Sequence, residues 1–232
     1  MSLDSLRDAV FEANQELVRR GLVIFTFGNA SGFDRGSGKV VIKPSGVPYD
    51  VLTPKDLVVT DLDGRVIEGN LRPSSDLPTH IALYKSFEGV NGVVHTHSRY
   101  ATAWAQAQKD IPCLGTTHAD YFQGPIPVTP PMTPSEIESD YEWNTGLVII
   151  RHLADKDPLK TTAVLVSGHA PFCWGTSPTE AAHTAVIVEE IAHMAYLTVT
   201  INADIDAISQ SLRDKHFLRK HGPKAYYGQA GY

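Results

Sequence analysis

The stretch Gly92-Val93-Val94-His95-Thr96-His97-Ser98 decides how the chain is read. Its apolar start, 92–96, predicts a buried strand, and side chains two apart on a strand share a face. His95 and His97 therefore point the same way, with Val94 and Thr96 opposite. Two imidazoles in that relation can meet one ion, and they can equally be two polar residues at a strand end. Upstream, 22–27 reads as a strand entering a glycine-bounded turn, Gly28-Asn29-Ala30-Ser31-Gly32. A second strand over 39–42 runs into Lys43-Pro44-Ser45-Gly46, and 57–60 returns through Asp61-Leu62-Asp63-Gly64 to 65–67 as a hairpin. Leu3, Leu6, Val10, Ala13 and Leu17 form one helical stripe, with Arg19 and Arg20 in its last turn and Gly21 as its stop. Thr53-Pro54 caps one short turn.

Downstream, helices are predicted near 78–87 and over 100–108, and 111–123 is irregular. Thr133 and Glu136 are spaced as a capping box, and 163–166 reads as a strand. Ser177-Pro178-Thr179-Glu180 opens a long helix reaching about residue 200, and a last helix over 204–221 closes at Gly222-Pro223. Strands fill the first half and helices the second. The expectation is one α/β domain over 1–232 with a central, mainly antiparallel sheet flanked by helices. The tail 222–232 is too short to fold alone and is expected to dock at a subunit interface.

Length and composition agree with a single large domain. The 232 residues, 42% apolar and 20% charged, can bury roughly 70% of the surface of the unfolded chain. Twenty basic against 26 acidic side chains give a net charge of −6, the wrong sign for a general nucleic-acid binder. Cys113 and Cys173 form no disulfide framework, and residues 2–20 read as a helix rather than a signal peptide. No stretch of 18 uncharged apolar residues occurs, so neither a membrane span nor a membrane partner is expected, and a reducing cytoplasm is.

Other segments carry chemistry. His169, in Ser167-Gly168-His169-Ala170, follows an apolar strand at a glycine-containing exit. Three imidazoles with an open fourth position make a catalytic zinc arrangement, and Asp76 can add a carboxylate. The plain alternatives are a satisfied loop histidine and a helix cap; periodicity alone does not bring the four together. The turns Gly28-Asn29-Ala30-Ser31, Lys43-Pro44-Ser45-Gly46 and Ser74-Ser75 offer backbone N–H groups, hydroxyls, an amide and one lysine, chemically a phosphate cradle. Each of these is also an ordinary turn composition. Gly115-Thr116-Thr117-His118-Ala119-Asp120-Tyr121-Phe122 gathers hydroxyls, an imidazole, a carboxylate and a phenol, and burial can tune such a carboxylate for acid–base work. Near the end, Arg213, Lys215, Arg219, Lys220 and Lys224 with His216 and His221 make a basic patch on an acidic chain.

Taken together these strings resemble the L-ribulose-5-phosphate 4-epimerase branch of the class II sugar-phosphate aldolase/epimerase superfamily, over essentially the whole chain. The match includes GNAS at 28–31, KPSG at 43–46, PSSD at 73–76 with Thr79-His80, and HTHS at 95–98. It continues with GTTHADYF at 115–122, YEW at 141–143, HFLRKHG at 216–222 and KAYYGQ at 224–229. The histidine trio belongs to the wider superfamily, GTTHADYF and KAYYGQ to the epimerase branch. The resemblance implies a divalent ion, usually zinc, one per subunit, on His95, His97 and His169, with Asp76 as an additional ligand. It implies that Asn29, Lys43, Ser45, Gly46, Ser74 and Ser75 hold the substrate phosphate. Asp120 becomes one acid–base group and Tyr227 from the adjacent subunit the other, with Thr116, Glu142, His216 and Arg219 in support. A homotetramer with sites between subunits is implied too.

The reaction implied interconverts L-ribulose 5-phosphate and D-xylulose 5-phosphate, in carbohydrate metabolism that includes arabinose and ascorbate breakdown. The inverted carbon bears a hydroxyl and is not alpha to the carbonyl, so its proton is not acidic. The C3–C4 bond must break, the aldehyde rotate and the bond re-form, with the ion stabilising developing charge and two proton-transfer groups on opposite faces. A class II aldolase shares the metal and phosphate sites. A zinc metallohydrolase and a metal-dependent binding protein are more distant alternatives. Ala170 replaces a glycine common after the third ligand, and Ala230-Gly231-Tyr232 extends past the usual end.

Overall fold

A computed structural model describes residues 2–223 and 225–226. Seven strands pair in the order β4-β3-β2-β1-β5-β7-β6, and every neighbouring pair is antiparallel. They are β1 (Asn29–Asp34), β2 (Lys39–Ile42), β3 (Val58–Thr60), β4 (Val66–Glu68), β5 (Gly92–His95), β6 (Ala163–Leu165) and β7 (Pro171–Gly175). The helices are α1 (Leu3–Arg19), α2 (Leu77–Ser86), α3 (Arg99–Gln106), α4 (Thr116–Ala119), α5 (Pro134–Glu138), α6 (Tyr141–His152), α7 (Pro178–Ile201) and α8 (Gln210–His221).

Strand alternation divides the core between the two faces of the sheet. Val94 and Cys173 pack with α1, α3 and α7 through residues such as Leu17, Ala101 and Val188. Their neighbours Val93, Phe172 and Trp174 pack on the other face with Ile81 and Tyr84 of α2 and Ile149 of α6. The result is an α/β/α sandwich, with a side chain at the end of β5 or β7 directed to one layer or the other by the parity of its position.

Helix α1 buries the predicted stripe Leu6, Val10, Ala13 and Leu17, capped by Ser2 and ended by Gly21 at φ +67°. It also carries a buried Asn14, whose side chain donates to Ala30 O at 3.1 Å and accepts from Ala30 N at 3.0 Å. That two-way bond clamps the start of β1 to α1. Gly32 in β1 is required by close approach: a Cβ there would lie 2.7–2.8 Å from atoms of Leu6, Pro178 and Val10. Gly32 therefore serves α1 and α7, which lie tight on the strand.

That packing overturns one expectation. Residues 22–27 are not a strand: they are irregular apart from a turn at 25–26, with Phe25 at φ 55°, and the expected turn is instead β1 from Asn29 onward. Small residues read as turn formers because the helices they admit are distant in sequence. The last helix begins at Gln210 rather than at 204, capped by Ser209 accepting from Leu212 N. The irregular stretch 111–123 contains the short α4 and an Ile111–Ile126 bridge, and α6 and β7 went unread. The Thr133 capping box and the β3–β4 hairpin are as predicted.

By length and apolar composition α7 could cross a membrane, contrary to the expectation that no such segment exists. Here it packs against β5, β7, α1 and α3, and its Glu189 accepts from the backbone N–H groups of Tyr100 and Ala101 at the start of α3. Most of the tail 222–232, including Tyr227, lies outside the described residues.

Candidate active site

Antiparallel pairing brings one end of each central strand to the same sheet edge: the ends of β2 and β5, the starts of β1 and β7, and the β6–β7 turn. Asn29 is registered opposite His95, and His95 opposite Phe172, so these three stand in one row across three strands. Beside that row lies a cavity of about 390 Å³ lined by Asn29, Lys43, Ser45, Gly46, Ser74, Ser75, Asp76, His95, His97, Glu142 and His169, among others. Ten proposed metal and phosphate residues, drawn from five separate segments, thus share one opening, and Glu142 joins them.

His95, His97 and His169 present ligand nitrogens that all lie within 4.8 Å of one another. His95 donates from Nδ1 to the Pro171 carbonyl at 3.0 Å, which fixes its tautomer and leaves Nε2 facing His97 Nε2 at 3.1 Å. Two nitrogens about 2.0–2.1 Å from a tetrahedral ion sit roughly 3.3 Å apart, close to that spacing. Phe172 stacks on His95 at 4.2 Å and holds the ring plane. Burial, with the neighbouring imidazoles, pushes His169 down to about 4 and lowers His97, so both rest in the neutral, ligating form. Asn29 Oδ1 is buried without a partner beside them. The donor set fits a divalent cation. Ala170 does not disturb it: the turn closes through Val166 N to Ala170 O, and the positive φ belongs to Gly168.

Asp76 occupies the N-cap position of α2 yet makes no capping bond. Its Oδ2 instead accepts from Asn29 Nδ2 at 2.6 Å. Burial alone would raise this carboxyl, but His95, His80 and the Asn29 bond outweigh it and hold it below its ordinary value. Asp76 therefore lines the same cavity without capping α2, and the group of three imidazoles close enough to share an ion does not include it.

The turns 43–46 and 72–75 run side by side, joined by a Pro44–Pro73 bridge, by Ser45 N to Arg72 O and by Ser74 N to Lys43 O. Gly46, at φ +69°, leaves open space where a side chain would stand. Lys43 is 1% exposed; its ammonium donates to Val47 O at 2.8 Å and Pro44 O at 3.3 Å and lies 4.6 Å over the Tyr49 ring. Burial pushes it down to about 8.

A second cluster lies outside this lining. Asp120 ends α4, with its N–H bonded to Thr116 O, and its carboxylate meets α8. Arg219 donates to both oxygens at 2.9 and 2.7 Å, His216 Nδ1 lies 2.9 Å from Oδ1, and Lys220 stands 3.8 Å from Oδ2. Burial would raise the Asp120 carboxyl; these partners prevail and lower it, so it is ionised. Asp120, Thr116, His216 and Arg219 therefore stay together but apart from the histidine cavity of their own chain. Two residues near the sites went unassigned in the sequence: Tyr141, whose hydroxyl is 3.4 Å from His169 Nδ1, and His221, bonded to Asp120 O at 2.9 Å. Tyr141 stands inside the quoted YEW string, which gave its place but no role.

Known proteins resemble this chain in sequence and in fold. The chain is 53% identical over 227 residues, 98% of its length and 100% of the relative's, to L-ribulose-5-phosphate 4-epimerase UlaF of Salmonella paratyphi A, and equally to that of Salmonella typhi. Among solved structures it resembles an L-fuculose 1-phosphate aldolase (TM-score 0.77, 23% identity, 93% of this chain and 96% of that one). A second aldolase of that name, from Thermus thermophilus, aligns with TM-score 0.66 and 27% identity over 88% of this chain and 98% of that one. The family model of the class II aldolase and adducin N-terminal domain matches residues 8–196, and the chain belongs to that family.

Proposed function

We propose that the protein is an L-ribulose-5-phosphate 4-epimerase, interconverting L-ribulose 5-phosphate and D-xylulose 5-phosphate. The observation that carries this is one cavity lined both by a three-imidazole cluster and by two serine- and glycine-bearing turns with a buried lysine. A phosphorylated ketose is the ligand that uses both ends. The choice of epimerase over aldolase is supported by the close relatives and by the Asp120 segment.

In this reading His95, His97, His169 and Asp76 hold one divalent ion, zinc by donor type, which when bound supplies Lewis-acid stabilisation of charge on the sugar oxygens. Asn29, Ser45, Gly46, Ser74, Ser75 and Lys43 grip the phosphate, so the fragment released by C3–C4 cleavage stays bound while its aldehyde turns. Ionised Asp120 is suited to accept a proton from the C4 hydroxyl, and Tyr227 to exchange one on the opposite face. Thr116, His216 and Arg219 support Asp120, and Glu142 supports the cavity. The absence of Asp120 from its own chain's cavity lining supports sites completed between subunits of a homotetramer, with the 222–232 tail at that interface. The setting proposed is cytoplasmic carbohydrate breakdown.

The test is incubation with L-ribulose 5-phosphate, with and without chelator, and identification of products by NMR. D-xylulose 5-phosphate formed only without chelator is expected. Accumulating free aldehyde would make the protein an aldolase, and chelator-resistant turnover would remove the ion from the reaction.

A further inference from the structure

A row of buried polar groups leads from the cavity carboxylate into the core. Asp76, His80 and Tyr84 are spaced i, i+4 and i+8 at the start and along α2, so they share one helix face. Asn29 and Ser31 are two apart on β1 and share one strand face. The two faces meet in successive contacts. Asn29 Nδ2 donates to Asp76 Oδ2 at 2.6 Å, Ser31 Oγ shares a hydrogen bond with His80 Nδ1 at 2.7 Å, and Ser31 Oγ shares another with Tyr84 Oη at 2.6 Å.

None of Asn29, Ser31, His80 and Tyr84 is more than 2% exposed. Groups buried this deeply are normally paired throughout. Here two atoms are not: Asn29 Oδ1 and His80 Nε2. Both belong to the residues that flank Asp76, one across on the strand and one a helical turn onward. An apolar side chain at 80 would fill the same space without that penalty, so core packing gives no reason for an imidazole there. Nor is His80 remote from the ligands: its ring meets Phe172 edge-on at 6.2 Å, and the same Phe172 stacks on His95.

We infer that His80 is a positioning residue of the metal site, held by Ser31, which Tyr84 holds in turn, and that this ladder fixes where the Asp76 carboxylate stands relative to the three imidazoles. The inference rests on the metal reading above and adds a residue that makes no direct contact with the cavity.

The experiment measures zinc affinity of the full chain by competition with a chromophoric chelator, the visible spectrum of the cobalt(II) form, and thermal unfolding without metal. The variants are His80→Gln, Ser31→Ala and Tyr84→Phe. Ser31→Ala loses one hydroxyl and serves if His80→Gln does not fold. Expected is a ten- to hundredfold weaker zinc affinity for His80→Gln and Ser31→Ala, with an altered cobalt spectrum. Tyr84→Phe, a further contact away, loses comparable thermal stability but less affinity. If Ser31→Ala and His80→Gln lower the melting temperature while zinc affinity and the cobalt spectrum match wild type, the ladder only supports the fold and the inference is overturned. Failure of the wild-type protein to bind zinc is a different result and overturns the metal reading itself.

Discussion

Replacing His97 by Asn isolates the metal from the fold. His95 is unsuited to the purpose: it is 1% exposed, stacked on Phe172 and bonded to the Pro171 carbonyl, so its loss would disturb the core as well. His97 is exposed, and its ring contact outside the histidine cluster is Phe27 at 6.2 Å. Stability of the variant without metal should stay within about 0.5 kcal/mol of wild type, as for most surface changes. The metal loss should be much larger. A four-ligand zinc site binds with about 10–16 kcal/mol, so one ligand contributes about 3 kcal/mol. At 1.4 kcal/mol per decade that weakens affinity roughly a hundredfold. At free zinc about tenfold above the wild-type Kd, occupancy then falls from nine-tenths to roughly a tenth. Zinc content by elemental analysis and epimerisation rate should fall together, with the melting temperature of the metal-free protein unmoved. Intact zinc content with normal turnover would refute the ligand role and the geometry it rests on.

Other expectations follow from the two clusters. Tyr227→Phe should lower kcat by about a hundredfold or more while zinc content and melting are unchanged, the scale of a lost proton-transfer group; a near-normal rate removes Tyr227 from the reaction. Lys43→Met should raise KM for the phosphorylated sugar by roughly tenfold or more, the cost of one charged hydrogen bond, and leave zinc affinity alone; an unmoved KM takes Lys43 out of the phosphate cradle. Folding lowers the Asp120 carboxyl because Arg219, His216 and Lys220 outweigh its burial. A group lowered on folding stabilises fully above its unfolded value, and that contribution fades as pH falls through the folded one. Asp120→Asn should therefore flatten the acid limb of stability below about pH 4, followed by urea unfolding. An acid limb identical to wild type would show that α8 is held on α4 by other contacts.

Local chemistry was legible where a short string specifies its own geometry. The α1 stripe, the Thr133–Glu136 box and the Asp61–Gly64 hairpin needed only neighbours in sequence. Strand parity put His95 and His97 on one face; their nitrogens do converge, although the strand ends at His95 and His97 follows it. What stayed hidden depends on partners far away. Small residues at 28–32 looked like a turn because nothing nearby shows that Leu6, Val10 and Pro178 press on Gly32. Spacing could not show that Asn29, 47 residues distant, holds the Asp76 carboxylate, which leaves α2 uncapped. Spacing gave no hint that Asp120 is bound by α8 nearly a hundred residues later, or that this cluster lies outside the histidine cavity. Resemblance supplied roles there, and only the fold divides those residues into two groups.

The antiparallel order of the sheet has a consequence for which sugars can react. The turn assigned to the phosphate leaves β2, and the first imidazole closes β5, with β1 alone between them. Neighbouring strands stand about 4.7–4.9 Å apart, so the two anchoring ends are separated by two such steps, roughly 10 Å. Hydrogen-bonded backbone sets that gap between the strand ends. In the proposed reading the sheet acts as a gauge, setting from its backbone how far apart the two ends of the sugar phosphate are anchored.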